Sequence, residues 1–134
     1  MELSDIGIKE FTSEELMGGM DKHHIVFKSQ GGVNHRYNLI QMPHGFHIGS
    51  RGPHRNHELD IKLKKLQQEQ LFRLFGEHKL YTLEAVFALI HPERKKDRRK
   101  IEKALQWKAA GWMEGKPLYE AEEIVRTLMG GRLF

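Results

Sequence analysis

The apolar positions of this chain follow two different rhythms. Up to residue 56 they come in short runs broken by glycine and proline, and from His57 onward they recur at helical spacing. Thr12-Ser13-Glu14-Glu15 has the form of a capping box, so a short helix is predicted there, closed by Gly18-Gly19. His24 to Lys28 is β-branched and aromatic and runs into Ser29-Gln30-Gly31-Gly32, which predicts a strand followed by a turn. Asn38-Leu39-Ile40-Gln41-Met42 predicts a second strand, stopped by Pro43. Between the two lies a connection of roughly nine residues, long for a hairpin and roomy enough to shape a site. Residues 43–56 hold three glycines and two prolines, so they are read as a loop. Leu59, Leu63, Leu66, Leu71, Leu74 and Phe75 then mark the apolar stripe of a helix beginning near His57, with Gly76 at its C-cap. Three further helices are expected: one capped by Thr82 and running through Ile90, a basic one from Pro92 to Ala110, and a last one from Glu120 to Met129. The chain is thus expected to be α+β, with its strands early and an all-helical C-terminal part.

A length of 134 residues suits one domain, or a small domain with an extension. There is no cysteine, which excludes disulfides, a zinc ribbon, a thiolate nucleophile and an iron–sulfur cluster. No apolar run approaches the roughly 20 residues that span a bilayer, and the acidic, amphipathic start is unlike a secretory signal. A soluble protein of the cytoplasm is the expectation. The net charge of +4 is unevenly placed. Residues 1–57 balance six Lys/Arg against six Asp/Glu, whereas the remainder carries sixteen against twelve. A neutral catalytic part beside a basic nucleic-acid surface would have this distribution.

Seven of the nine histidines fall between His23 and His57. Imidazole is the commonest metal ligand and titrates nearest neutral pH. The pair His23-His24, then Asn38, then His47, on a strand–strand–loop–helix framework, resembles the HNH (ββα-metal) nuclease motif, in particular the small phage and prophage HNH endonucleases. The likeness extends through Ser29-Gln30-Gly31-Gly32, Asn38-Leu39-Ile40 and Gly52-Pro53-His54-Arg55-Asn56, and covers about residues 22–75.

That resemblance implies a fold, an activity and a set of roles. The core would be a small ββα-metal unit over residues 1–78, and residues 79–134 a helical extension that binds nucleic acid or a partner. The activity would be hydrolysis of DNA phosphodiester bonds, leaving 5′-phosphate and 3′-hydroxyl ends. His24 matches the general base that activates water, a role open to a neutral imidazole whose other nitrogen is held by an acceptor. His23 and His47 match metal ligands, with His54 as the third. The colicin-like spacing would instead put that third ligand at Arg51. Asn38 matches the asparagine that ties the connecting loop to the strands, since one amide both donates and accepts. A single divalent ion is implied. Three imidazoles favour zinc or nickel, while manganese and magnesium also serve in the family.

Two features depart from a simple match. Neighbours in a regular strand point to opposite faces, so His23 and His24 can share a site only at a strand start or a distorted edge. Many relatives carry cysteine pairs for a structural zinc, and here Pro43 and Phe46 stand at two of those positions, where Phe46 would substitute apolar packing.

Arg51 and Arg55, inside the ligand loop, and Lys95, Arg98 and Arg99, in the run from Arg94 to Lys100, are the candidate phosphate contacts. A solvated helix is the alternative for that run, and Trp107 and Trp112 nearby favour nucleic acid. His35, His44 and His57 have no assigned partner and are taken as solvated, with His44 the substitute ligand. Two rival functions stay open: a non-catalytic nucleic-acid-binding or host-nuclease-inhibiting protein on an HNH scaffold, and a histidine-rich metal store or sensor. A monomer would nick, whereas a dimer could cut both strands.

Overall fold

The computed structural model describes residues 1–77 and 79–134. The division drawn after residue 78 therefore falls on His78, outside the described residues. Two antiparallel strands, β1 (Met20–His24) and β2 (Leu39–Pro43), form a ribbon in which His23 faces Ile40 and His24 faces Leu39. A short helix α1 (His44–Ile48) follows at once, then the long helix α2 (His57–Leu74). The C-terminal part contains β3 (Leu80–Tyr81), α3 (Leu83–Ile90), α4 (Lys95–Leu105), β4 (Gly111–Met113), β5 (Lys116–Glu120) and α5 (Ala121–Leu128). Strands β3, β5 and β4 make a second antiparallel sheet, with β5 in the centre. The chain is a small α+β protein.

Helix boundaries follow local chemistry. Asn56 caps α2, its side chain accepting from the Leu59 amide at 3.2 Å, and Glu58 and Asp60 occupy the first turn, where the helix dipole favours acids. Thr82 caps α3 through the Ala85 amide at 3.1 Å. Helix α4 starts where Asp97 reaches back to the Arg94 amide, and it stops before Trp107, whose φ is 70°.

Helix α2 is shared by two apolar clusters. Its first half contributes Leu59 and Leu63 to a cluster with Leu3, Ile25, Ile40, Met42 and Phe46. Its second half contributes Leu71, and Phe75 follows, in a cluster with Val86, Ile90, Ile101, Leu105, Ile124 and Val125. Val26 and Val33, near the start and in the middle of the β1–β2 connection, belong to the second cluster. The loop that shapes the histidine site is therefore anchored in the C-terminal core. Each fully buried aliphatic chain such as Leu63 contributes about 1.5–3 kcal/mol, so both clusters hold this framework.

Four expectations need correction. Residues 13–18 form turns, not a helix, although Thr12 and Glu15 make both hydrogen bonds of the capping box. Gly18 and Gly19, at φ of 86° and 77°, turn the chain away before a second helical turn can form. The first strand precedes the apolar run instead of containing it, because Ile25 and Val26 are buried in the two clusters. The loop over residues 43–56 contains α1. The C-terminal part is not all helix, since the predicted basic helix shortens to Lys95–Leu105 and three short strands surround it.

Candidate metal centre

Three histidine rings from separate segments meet beside the β1–β2 ribbon. His23 comes from β1, His47 from α1, and His54 from the loop before α2. Their candidate ligand atoms all lie within 4.8 Å of one another. His47 Nε2 is 3.1 Å from His23 Nδ1 and 3.0 Å from His54 Nε2. Gly52 permits this convergence, because a Cβ there would collide with the carbonyl oxygens of Phe46 and His47. Phe27 forms one wall, its ring centroid 4.9 Å from that of His54 and 5.6 Å from that of His23. The ammonium of Lys64, itself buried and paired with Asp60 at 2.7 Å, lies 4.4 Å from the Phe27 centroid on α2's side.

The protonation pattern suits a cation. Asp21, two residues before His23 on β1, accepts from His47 Nδ1 at 2.8 Å and from His44 Nδ1 at 2.7 Å. Those two hydrogen bonds hold its carboxyl below the usual range. With Nδ1 of His47 protonated toward Asp21, its Nε2 keeps one lone pair, yet two ring nitrogens face that atom. One proton can satisfy only one of these pairings, whereas a single cation satisfies all three rings. Separations of 3.0 and 3.1 Å are a few tenths short of the spacing of about 3.3 Å expected between donors around a tetrahedral ion bound at about 2.0 Å. Burial, with His47 and His54 adding to it, pushes His23 down from 6.5 to about 3. Partial burial and the neighbouring His47 lower His54. Neutral imidazole is the ligating form. A triad of His23, His47 and His54 could hold a metal ion, and an Asp21 carboxylate behind His47 is the usual outer support of such a ligand.

His24 is not part of this triad. Its Nε2 lies 2.5 Å from Asn34 Oδ1, while Asn34 Nδ2 donates to Glu93 at 3.2 Å and the Asn34 amide donates to Asp97 at 3.1 Å. The pair ends the strand, and its two rings engage different partners, His23 with His47 and His24 with Asn34. With Nε2–H given to Asn34, the free lone pair of His24 is on Nδ1.

Asn38 is fully buried and uses its whole amide. Its Oδ1 accepts from the Val26 amide at 2.7 Å and from Gln67 Nε2 at 3.0 Å, and its Nδ2 donates to the carbonyls of Val26 and Val33 at 3.1 and 3.0 Å. It thus fastens both ends of the loop that carries Asn34. Phe46, also fully buried, packs edge-on against Phe11 at 5.4 Å between centroids and occupies apolar volume.

The cationic candidates are dispersed. Arg51 is bound to Glu15 at 2.9 Å and lies over Phe46, so its guanidinium is already engaged within the fold. Arg55 is exposed next to His54. Lys95, Arg98 and Arg99 are exposed on α4, which supplies none of the triad nitrogens. Two of the histidines taken as solvated have partners. His35 is fully buried, its Nδ1 accepting from the Tyr37 amide at 3.2 Å, and burial pushes it down to about 4. His44 pairs with Asp21. His57 is exposed.

Asp21, Asn34, Gln67 and Glu93 were not anticipated. Asp21 carried a readable signal, since residues two apart on a strand share a face and Asp21 stands two before His23. Asn34 and Gln67 carried none, because their partners are set by tertiary folding. Comparison with protein-family models, with curated proteins and with solved structures returns no match.

Proposed function

We propose that this chain is a metal-dependent DNA endonuclease of the HNH type, with a ββα-metal core. The observation that carries the reading is the division of labour between adjacent histidines. His23 joins a three-ring cage, while His24 is held apart on Asn34, its other ring nitrogen without a partner among the described residues. A metal store would have no use for a separately oriented fourth imidazole.

In this reading His24 Nδ1 accepts a proton from the attacking water as its oxygen bonds to phosphorus and the P–O3′ bond breaks. Asn34 accepts from Nε2–H, which fixes the tautomer and the ring plane. Glu93 in turn fixes the Asn34 amide. Asn38 and Gln67 hold the loop beneath. His23, His47 and His54 bind one divalent ion, and Asp21 keeps His47 in the ligating tautomer. Bound there, the ion supplies positive charge against the phosphate and the leaving oxygen. Three imidazole donors favour zinc or nickel, with manganese next and magnesium least suited.

The test is incubation of the purified chain with supercoiled plasmid, metal-free and with Mg²⁺, Mn²⁺, Ni²⁺ or Zn²⁺. Nicking that requires an ion is expected. Intact plasmid under every condition would overturn the proposal and leave the non-catalytic reading on the same scaffold.

A further inference from the structure

The C-terminal part has an element order that the histidine site does not use. Strand β3 leads into α3, residues 91–94 turn the chain into α4, and the β4–β5 hairpin brings β5 back beside β3. The hairpin is tight, with Glu114 and Gly115 at φ of 50° and 77° between the paired residues Met113 and Lys116. A helix, a short turn, a second helix and a flanking hairpin are the parts of a helix–turn–helix reader with a wing.

The second helix has the surface such a reader needs. Asp97, Ile101 and Leu105 form its buried stripe. On the opposite face Lys95, Arg99 and Lys103 stand at four-residue intervals, flanked by Lys96, and all are exposed. Among the described residues, none of these four has a carboxylate within salt-bridge distance. Eight residues of helix place this row along about 12 Å, comparable to the width of the major groove, about 12 Å. The row leads into a groove whose lining includes Arg99, Lys103, Trp107, Trp112 and Tyr119, with Glu102 as its one acid. Trp107 is 92% exposed and Trp112 69%, an unusual cost for a surface that nothing covers. The same helix is fastened to the His24 loop through the Asn34–Asp97 hydrogen bond.

We infer that the α3–α4 pair and the β4–β5 hairpin form a docking module for duplex DNA, with Lys95, Arg99 and Lys103 against the phosphates and Trp107 and Trp112 at the rim. The inference rests on the reading that nucleic acid is the substrate, and it assigns capture of the duplex to a surface separate from the metal centre.

The test measures anisotropy of a labelled duplex of about 20 base pairs across a salt series, in EDTA, so that binding is read without cleavage. Three proteins are compared: the unaltered chain, Arg99→Glu/Lys103→Glu, and Lys62→Glu/Lys65→Glu, which makes the same charge change at exposed positions of α2. The α4 variant is expected to bind at least tenfold more weakly, with the salt slope reduced by about two, and the α2 variant far less so. Quenching of tryptophan fluorescence in the unaltered chain on duplex addition is also expected. Equal loss in both variants, no loss in the α4 variant, or tighter binding of a single strand of the same length would overturn the docking module. Tight duplex binding in EDTA by a chain that nicks with no ion would overturn the nuclease reading alone. Ion-dependent nicking with undiminished binding by the α4 variant would overturn this inference alone.

Discussion

Asn34 Oδ1 lies 2.5 Å from His24 Nε2, and this contact decides which face of the imidazole is free to act. Removing the acceptor should leave the ring present but unaligned. Asn34→Ala is expected to lower the nicking rate by about ten- to a hundredfold, within the range that general-base catalysis supplies. Asn34→Asp keeps an acceptor oxygen but sets a second carboxylate against Glu93, so it should recover only part of the loss. Metal affinity should be unchanged in both. A nicking rate in Asn34→Ala equal to that of the unaltered chain would contradict the assignment of Asn34.

Asp21 accepts from the nitrogen of His47 that faces away from the other two rings. Asp21→Asn should therefore weaken divalent-metal binding by about ten- to a hundredfold, measured by competition with a chromogenic chelator. Arg51→Ala, at the position colicin-like spacing would make a ligand, should leave that affinity alone, because Arg51 is paired with Glu15.

The buried amide of Asn38 makes four hydrogen bonds, one of them to Gln67 on α2. Asn38→Ala would strand two backbone carbonyls and an amide in the interior, at a cost of about 2–4 kcal/mol in denaturant unfolding. A double-mutant cycle with Gln67→Ala should give a coupling of about 0.5–3 kcal/mol, since the two side chains share one network.

His35 and His23 make the metal-free fold acid-sensitive. Their folded values fall from 6.5 to about 4 and about 3, so below pH 6.5 the unfolded chain takes up protons that the fold refuses. Stability is then complete above 6.5 and drops as pH falls toward 4, with His35 alone worth on the order of 3 kcal/mol. The melting temperature of the metal-free chain should fall across this window, and His35→Gln should flatten part of the slope. A melting temperature independent of pH from 6.5 to 4 would refute it.

Helices α2, α3 and α5 were legible because they rest on local rules. Asn56, Thr82 and the leucine spacing of α2 act within a turn or two of themselves, and Pro43 marks the end of β2, whereas β1 lies four residues earlier than its apolar run suggests. His23, His47 and His54 were named through the resemblance to the HNH motif, and the fold brings these three rings together. The partner of His24 could not be named in this way, since Asn34 acquires its position from Glu93 and Asp97, some 60 residues away in the chain. The C-terminal sheet was hidden for another reason. Its strands over residues 80–81 and 111–113 are too short for an alternating pattern, although Glu114-Gly115 between Met113 and Lys116 is a hairpin signal of the usual kind. The burial of His35 is equally a tertiary outcome, produced where the loop at Val33 meets the C-terminal core.

The most direct test of the central claim sets His24→Ala beside the unaltered chain on supercoiled plasmid, with bound metal quantified in the same samples. Full metal occupancy is expected in both and nicking only in the unaltered chain, because His24 lies outside the triad that could hold an ion. Equal nicking by the two proteins would contradict the role of His24 as the base, and loss of metal from His24→Ala would contradict the separation of base from cage.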